Sequence, residues 1–451
     1  YCLSNIDAVN VPFTVIIDES SMLTEEMFGA LLQALRKNAQ RIIFVGDPNQ
    51  LPPIGAGRPF VDLVRKLNSG VNTFPKVATG FGELTVTMRQ LSEDGETRGD
   101  TELSKWYTGN SENLDESIFI KLQQGNLGKH VTFKSWSTPE ELESKIFETI
   151  YEETEMKDVD DTEGFNLSLG GVINNGWMNF GNRPQEIEGW QILSAYRNDA
   201  SVGTATINRY IHEKYRSQET QQLEHCKVRS TKHLLGTDGI VYGDKVINLR
   251  NHSRDSYNSK MRQREQGYVA NGEVGIVERI WEKPKDKSNT HQIVFSSQPD
   301  KNYNWLSTIS DESNSDLELA YALTVHKAQG SEFKKAILVL GEPGGLLSKE
   351  LLYTAITRQK DKLVILYNDG AYRLRDYSSM SSSEVAGRFT CLFEAPDIVE
   401  HKKKYYEQSL IHRTLRGELV RSKSEVIIAN MLYEQGIEYE YEKELDLGED
   451  G

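Results

Sequence analysis

Cysteine is scarce: Cys2, Cys226 and Cys391 are the three in 451 residues. They lie too far apart for a zinc site or a disulfide framework, which fits a reducing cytoplasm. Long apolar runs are missing too. Nothing approaches the roughly eighteen consecutive apolar residues that cross a bilayer, and "YCLSNIDAVN" lacks the basic end and apolar stretch of a signal peptide. An excess of positive charge is also absent. A formal net charge of -15 argues against indiscriminate coating of nucleic acid, although a local basic groove can still bind it. Internal repeats and long low-complexity segments do not occur. What remains is an ordinary soluble composition, long enough for two or three domains with sizeable cores.

The chemistry starts at "VIIDESSM", residues 15 to 22. Val15, Ile16 and Ile17 read as a short buried strand, ending in Asp18 and Glu19. Open α/β sheets place ligands at the carboxyl edge of such strands. An aspartate there can hold Mg²⁺ on a nucleotide phosphate, and a neighbouring glutamate can position a water. The competing reading is a strand end followed by a helix cap at Ser20, Ser21 or Thr24. The octapeptide alone leaves both open.

Residues 11 to 95 alternate strand and helix, which implies a parallel sheet with crossover helices. In "TEEMFGALLQALRKN", Met27, Leu31, Leu32 and Leu35 fall on one helical face. The strand "RIIFVG" then leads into "GDPNQLPPIGAGRPF", so Asp47 and Gln50 should emerge beside Asp18 and Glu19. Two prolines stiffen that loop, and Gly55 and Gly57 permit tight backbone. A stiff loop bearing an amide suits sensing a phosphate. Further on, 236 to 300 is all β in pattern, and α/β order resumes with "TVHKAQGSEF" and "LLYTAITRQKDKLVIL". The latter places Arg358 at a helix end before a strand, and "LTVTMRQ" offers Arg89; either guanidinium suits charge developing on a phosphoryl group. As single arginines, both also read as surface ion pairs.

Together these segments resemble superfamily 1 helicases, in the order that family carries them. "DESSM" is similar to its Walker B motif, "GDPNQLPPIGAG" to motif III, "TMRQ" to motif IV, "TVHKAQGSEF" to motif V and "YTAITRQKDKLVIL" to motif VI. The wording "QLPPIGAG" resembles the RecD-like branch of superfamily 1B. The resemblance covers about residues 11 to 370, with 96 to 187 carried mainly by position.

It implies an α/β fold of two RecA-like parallel-sheet domains, the first incomplete, with a small β-barrel inserted in the second. The implied boundaries are 1–95 for the end of the first domain and 96–235 for a connection and the start of the second. The barrel would occupy 236–300, the rest of the second domain 301–370, and a linker 371–420. By resemblance, Asp18 holds Mg²⁺, Glu19 orients or deprotonates the hydrolytic water, and Gln50 senses the γ-phosphate of ATP. Asp47, Gly330 and Glu332 lie near the nucleotide, and Arg89 and Arg358 neutralise phosphate charge. Thr324, His326 and Lys327 face single-stranded DNA, with 5′ to 3′ movement implied. His326 reads equally well as an ordinary hydrogen-bonded histidine. From the residues themselves, "RNHSRDSYNSKMRQR" offers Arg250, Arg254, Lys260, Arg262 and Arg264 around Tyr257 as a basic loop for a strand; a plain solvated loop is the alternative.

One motif is missing. No segment fits G-x-x-x-x-G-K-[ST], whose backbone N–H groups and lysine cradle ATP phosphates; "GNLGKH" at 125 to 130 has the wrong spacing. The resemblance would put it before Tyr1, so hydrolysis is expected of a longer chain. The rival expectation is a nucleic-acid- or partner-binding module that kept the helicase shape without hydrolysing ATP. In the tail, Ser422, Ser424 and Glu425 open a helix with Gly436 after its end, and "IEYEYEKEL" alternates as a strand. Residues 421–451 read as a terminal helix and strand, or resemble the entrance of a PD-(D/E)xK nuclease fused beyond Gly451, with Glu425 as its helix glutamate.

Overall fold

The computed structural model describes residues 14–35, 39–68, 77–78, 80–84, 98–108, 114–225, 235–236, 238–283, 288–307, 316–341, 346–388, 392–393, 412–416, 418–420 and 423–441. They divide into two compact units, Tyr1–Phe393 and Glu394–Gly451.

In the first unit the strands Thr14–Ile17 and Arg41–Phe44 pair in parallel, Thr14 against Arg41 and Ile17 against Phe44. Both therefore end at one edge, and Asp18 and Asp47 leave it side by side. The strand 14–17 is not buried on both faces as its β-branched run suggests: Ile16 is 65% exposed, and its partner Ile43 is exposed as well. Among the described residues this sheet has two strands, too few to carry a layer on each face. The helix Glu25–Leu35 follows the same logic. It buries Phe28 and leaves the expected Met27 and Leu32 exposed.

The second sheet is the main core. Five parallel strands run in the order Ala322–Thr324, Trp190–Ser194, Phe333–Leu340, Gln359–Tyr367, Val131–Ser135. Trp190–Ser194 is buried at every position, as a central parallel strand covered on both faces requires. The helix Lys349–Ile356 leads from this layer into the strand 359–367, and Ser348 Oγ caps it by accepting from Leu351 N at 3.1 Å.

The all-β segment expected over 236–300 is a seven-stranded antiparallel sheet that also takes in Lys301–Ser307 and Leu317–Leu319. Its hydrogen-bonded order runs from Gln263–Val269 at one edge to Leu317–Leu319 at the other. The basic stretch 250–264 is not a loop. His252–Asn258 and Gln263–Val269 form a hairpin, with Arg262 at φ 53° in its tip. Lys245 anchors this sheet on the parallel one: its buried Nζ donates to Trp190 O at 2.8 Å. Burial brings that amine down to about 7.

Residues 371–393, expected to begin a linker, belong to the first compact unit. Short 3₁₀ turns at Ala371–Ser378 and Met380–Ser382 pack there, burying Leu374 and Tyr377. In the second unit Lys423–Glu434 is helical as expected, and Gly436 at φ 68° closes it, with Ile437 N donating to Leu432 O at 2.9 Å. The expected strand from 437 does not form over 437–441, where no partner strand is drawn alongside; 442–451 and Ser422 lie outside the described residues.

Candidate nucleotide and nucleic-acid site

The strand end at Asp18 turns sharply. Glu19 takes a left-handed backbone (φ 50°, ψ 40°), uncommon for a side chain of its size, and its N–H donates to Asp18 Oδ1 at 2.9 Å. The turn is pinned by Ser20, whose Oγ donates to Ile17 O at 2.8 Å and whose N–H donates to Val45 O at 2.8 Å. Backbone strain at such a position persists only where neighbours fix it, and it collects at functional sites. Helix capping falls to Thr24, whose Oγ1 accepts from Met27 N at 3.1 Å, so neither acid is spent on it. Asp18 stays exposed. Glu19 reaches toward the second sheet: a methyl group added at Gly330, itself at φ 79°, would lie 3.8 Å from Glu19 Oε1.

The proline-rich loop lies against the helix Lys349–Ile356. Asp47 Oδ1 accepts from Asn49 N at 2.9 Å, and Asp47 Oδ2 accepts from the Tyr353 hydroxyl at 2.8 Å. Burial, with the Asp47 charge adding to it, pushes the Tyr353 phenol well above its ordinary range. Leu51 N donates to Thr354 Oγ1 at 2.9 Å, and Gln329 Nε2 donates to Leu51 O at 3.1 Å. Between these anchored residues Gln50 Oε1 is buried with no hydrogen-bond partner. A buried amide oxygen left unpaired is costly, and its O and N differ only by a flip.

Arg358 is 6% exposed. Its Nε donates to Thr354 O at 3.1 Å and Nη1 to Ser331 O at 3.2 Å. The guanidinium thus sits one residue from Gly330, the position facing Glu19. Glu332 pairs with Lys360 at 3.2 Å. Asp18, Glu19, Asp47, Gln50, Gly330 and Arg358 therefore gather around two strand edges. Arg89 lies outside the described residues. An exposed carboxylate at a strand end suits Mg²⁺, which takes one or two carboxylates and leaves its other positions to phosphate and water; Asp18 fits that description. Among the described residues no cluster of three acidic, histidine or cysteine ligands forms a resident metal site.

Three of the residues expected on nucleic acid, Lys327, Arg250 and Arg254, are held by two acids that sequence reasoning missed. Lys327 Nζ pairs with Glu318 at 2.7 Å, and Arg197 bonds the same carboxylate. Arg254 Nη2 and His252 Nε2 lie 3.2 Å and 3.0 Å from Asp316 Oδ2, and Arg250 Nε lies 3.3 Å from Oδ1. Arg254 also stacks over Trp305, 4.3 Å from the ring centre. Alternation of the acids in "DLEL" was the available signal. Thr324 Oγ1 accepts from Lys327 N at 3.3 Å. Burial pulls the His326 imidazole below its ordinary value, with the Glu384 charge opposing. The hairpin instead turns outward Tyr257 opposite Arg264 and, further along, Tyr268, with Lys260, Met261 and Arg262 at its tip.

Two family models match the chain, one described as an AAA domain over residues 6–97 and one as a UvrD-like helicase C-terminal domain over 319–366. The RecD subunit of the RecBCD enzyme from Buchnera aphidicola (subsp. Schizaphis graminum) is 24% identical over 372 residues, covering 78% of this chain and 53% of RecD. In these matches the chain is similar to superfamily 1B helicases. Another relative in sequence is the protein MJ1519 of Methanocaldococcus jannaschii, 32% identical over 95% of this chain and 34% of that one. The chain thus spans about a third to a half of the length of these relatives. A Bacteroides Pif1 structure, bound to single-stranded DNA, is 14% identical with a TM-score of 0.35, covering 80% of this chain and 72% of Pif1. Among the described residues, no helix is long and apolar enough to cross a membrane.

Proposed function

We propose that this chain is part of an ATP-dependent translocase or helicase that moves along single-stranded DNA, with 5′ to 3′ polarity. The observation that supports it most directly is Glu19, at the end of one sheet, aimed at Gly330 of the other. An ATPase working between two RecA-like layers needs its water-activating acid at that seam. Glu19 orients the attacking water and accepts its proton. Gln50 supplies an amide to the γ-phosphate or the water, and Arg358 neutralises charge as the phosphoryl group departs. Asp18 would hold Mg²⁺, which when bound offsets phosphate charge. DNA would run past Thr324, His326 and Lys327 and across the outward face of the hairpin, where Tyr257 and Tyr268 offer stacking platforms and Arg264, Lys260 and Arg262 offer charge.

The second reading is a nucleic-acid- or partner-binding module of helicase shape that does not hydrolyse ATP. The two separate on phosphate release by the full-length protein with oligothymidylate present. Stimulated release that disappears in Glu19→Gln supports the translocase. DNA binding without any release supports the module. A nuclease domain following the helix that carries Glu425 stays part of the proposal, tested by DNA cleavage in Mg²⁺ or Mn²⁺ with the full-length protein.

A further inference from the structure

The sensing loop is gripped from a second direction by a residue that no helicase motif contains. Arg388 Nη1 donates to Gly55 O and to Gly57 O, each at 2.6 Å, and Nη2 donates to Pro53 O at 2.7 Å. Three main-chain carbonyls within five residues thus converge on one guanidinium. A planar fork of donors can serve such a set; a lysine's point charge cannot serve it equally.

The segment bearing Arg388 is tied to the helix Lys349–Ile356 at its start. Ser348 Oγ donates to Glu384 Oε1 at 2.9 Å, Glu384 N donates to Glu350 Oε2 at 2.9 Å, and Ser383 Oγ bonds Glu350 as well. Glu350 is buried. On the other side, Arg58 reaches Val385 O, and Leu392 N donates to Asp62 Oδ2 at 3.2 Å, joining the segment to the helix Pro59–Leu67. Residues 383–388 form a strap across the loop. The same helix 349–356 holds the other half of the loop through Tyr353 to Asp47 and Thr354 to Leu51. Gln50 lies inside this first grip, between Asp47 and Leu51, with the Arg388 grip beginning three residues later at Pro53.

We propose that Arg388 is a positioning residue: it locks the Pro53–Gly57 half of the sensing loop to the second sheet, so that Gln50 moves in register with Arg358. This rests on the reading of Gln50 and Arg358 given above. With Arg388 removed, Asp47, Gln50 and Leu51 still follow helix 349–356 while residues 53–57 lag, and the loop no longer braces Gln50 from its C-terminal side.

The test pairs hydrogen exchange with kinetics, on wild type, Arg388→Ala and Arg388→Lys. In Arg388→Ala the amides of residues 54–58 should exchange at least about tenfold faster, the equivalent of losing one charge-assisted hydrogen bond, with Arg388→Lys between the two. Exchange in the parallel sheet 131–367 should not change. In the full-length protein with oligothymidylate, kcat should fall by about tenfold in Arg388→Ala while KM for ATP stays within about threefold, and Arg388→Lys should restore part of it. Unchanged exchange at 54–58 overturns the proposal. So does faster exchange throughout the unit, which would make Arg388 a general stabiliser. Faster local exchange with wild-type kcat also overturns it, because the grip would then position nothing. If the wild-type full-length protein hydrolyses no ATP, the ATPase reading fails separately. The lock is then judged on exchange alone: oligothymidylate slowing residues 54–58 in wild type but not in Arg388→Ala supports it, and equal slowing in both overturns it.

Discussion

Tyr353 donates its hydroxyl hydrogen to Asp47 Oδ2 at 2.8 Å, joining a helix of the second sheet to the loop that leaves the first. The two residues are 306 positions apart. Tyr353→Phe deletes a hydrogen bond to a charged acceptor while keeping the ring. It should lower stability by about 1.5–3 kcal/mol, measured by urea denaturation, and Asn49 should keep Asp47 partly satisfied. Stability equal to wild type would mean that water replaces the hydroxyl without loss.

Arg358→Ala in the full-length protein should leave ATP binding within about tenfold and lower kcat by on the order of 10³-fold, as for an arginine finger. Steady-state phosphate release with saturating oligothymidylate measures it. Near-normal turnover would return Arg358 to a role in packing Thr354 and Ser331.

The 451-residue polypeptide by itself should hydrolyse ATP at background rate, since none of its segments provides the backbone donors and lysine of a phosphate cradle. DNA-stimulated turnover abolished by Glu19→Gln would reveal a cradle of another kind within these residues.

Arg264 and Arg254 should separate in their effects. Arg264 is exposed on the hairpin face, so Arg264→Ala should weaken oligothymidylate binding and reduce the salt slope by about 0.7, one phosphate contact on a single strand. Arg254 is bound to buried Asp316 and stacked on Trp305, so Arg254→Ala should chiefly lower stability. Fluorescence anisotropy across salt concentrations and thermal melting give the two readouts; equal salt slopes for wild type and Arg264→Ala would remove the hairpin face from the DNA path.

Lys245 predicts a pH dependence. Its amine is fully buried and burial lowers it to about 7, against 10.5 in the unfolded chain. Between those values the unfolded state binds the proton and the folded state does not, so stability rises with pH across that window. Below about pH 7 the folded state carries a buried charge. Lys245→Met should therefore stabilise at pH 6 by a few kcal/mol, with the gain shrinking as pH approaches 10. A gain independent of pH would show that the amine stays charged throughout.

Much of the site was legible because strand-edge chemistry is local. Asp18 and Glu19 follow a short apolar run directly, and the parallel register of 14–17 with 41–44 starts the loop of Asp47 and Gln50 from the same sheet edge. What pairs across the chain was not legible. Tyr353, Thr354 and Gln329 contact the loop from residues about three hundred positions away, and nothing in "LLYTAITR" marks its tyrosine as an Asp47 partner. The basic stretch 250–264 misled for a related reason. Its polar residues alternate in and out of a hairpin, and the acid that holds Arg250 and Arg254 comes from position 316. The buried faces of the 14–17 strand and the 25–35 helix were over-read, since an apolar run predicts burial only where enough sheet surrounds it.

Thr354 serves two masters with two different atoms. Its side-chain oxygen takes the Leu51 N–H, and its main-chain oxygen takes Arg358 Nε. A helix that slides or tilts by some small displacement must hand that same displacement to the loop and to the guanidinium at once. Loop and guanidinium then share one lever arm through Thr354. Independent adjustment would require a substitution at Thr354 itself: valine, nearly isosteric, frees the Leu51 N–H from this helix while leaving the carbonyl, and so the arginine, where it was.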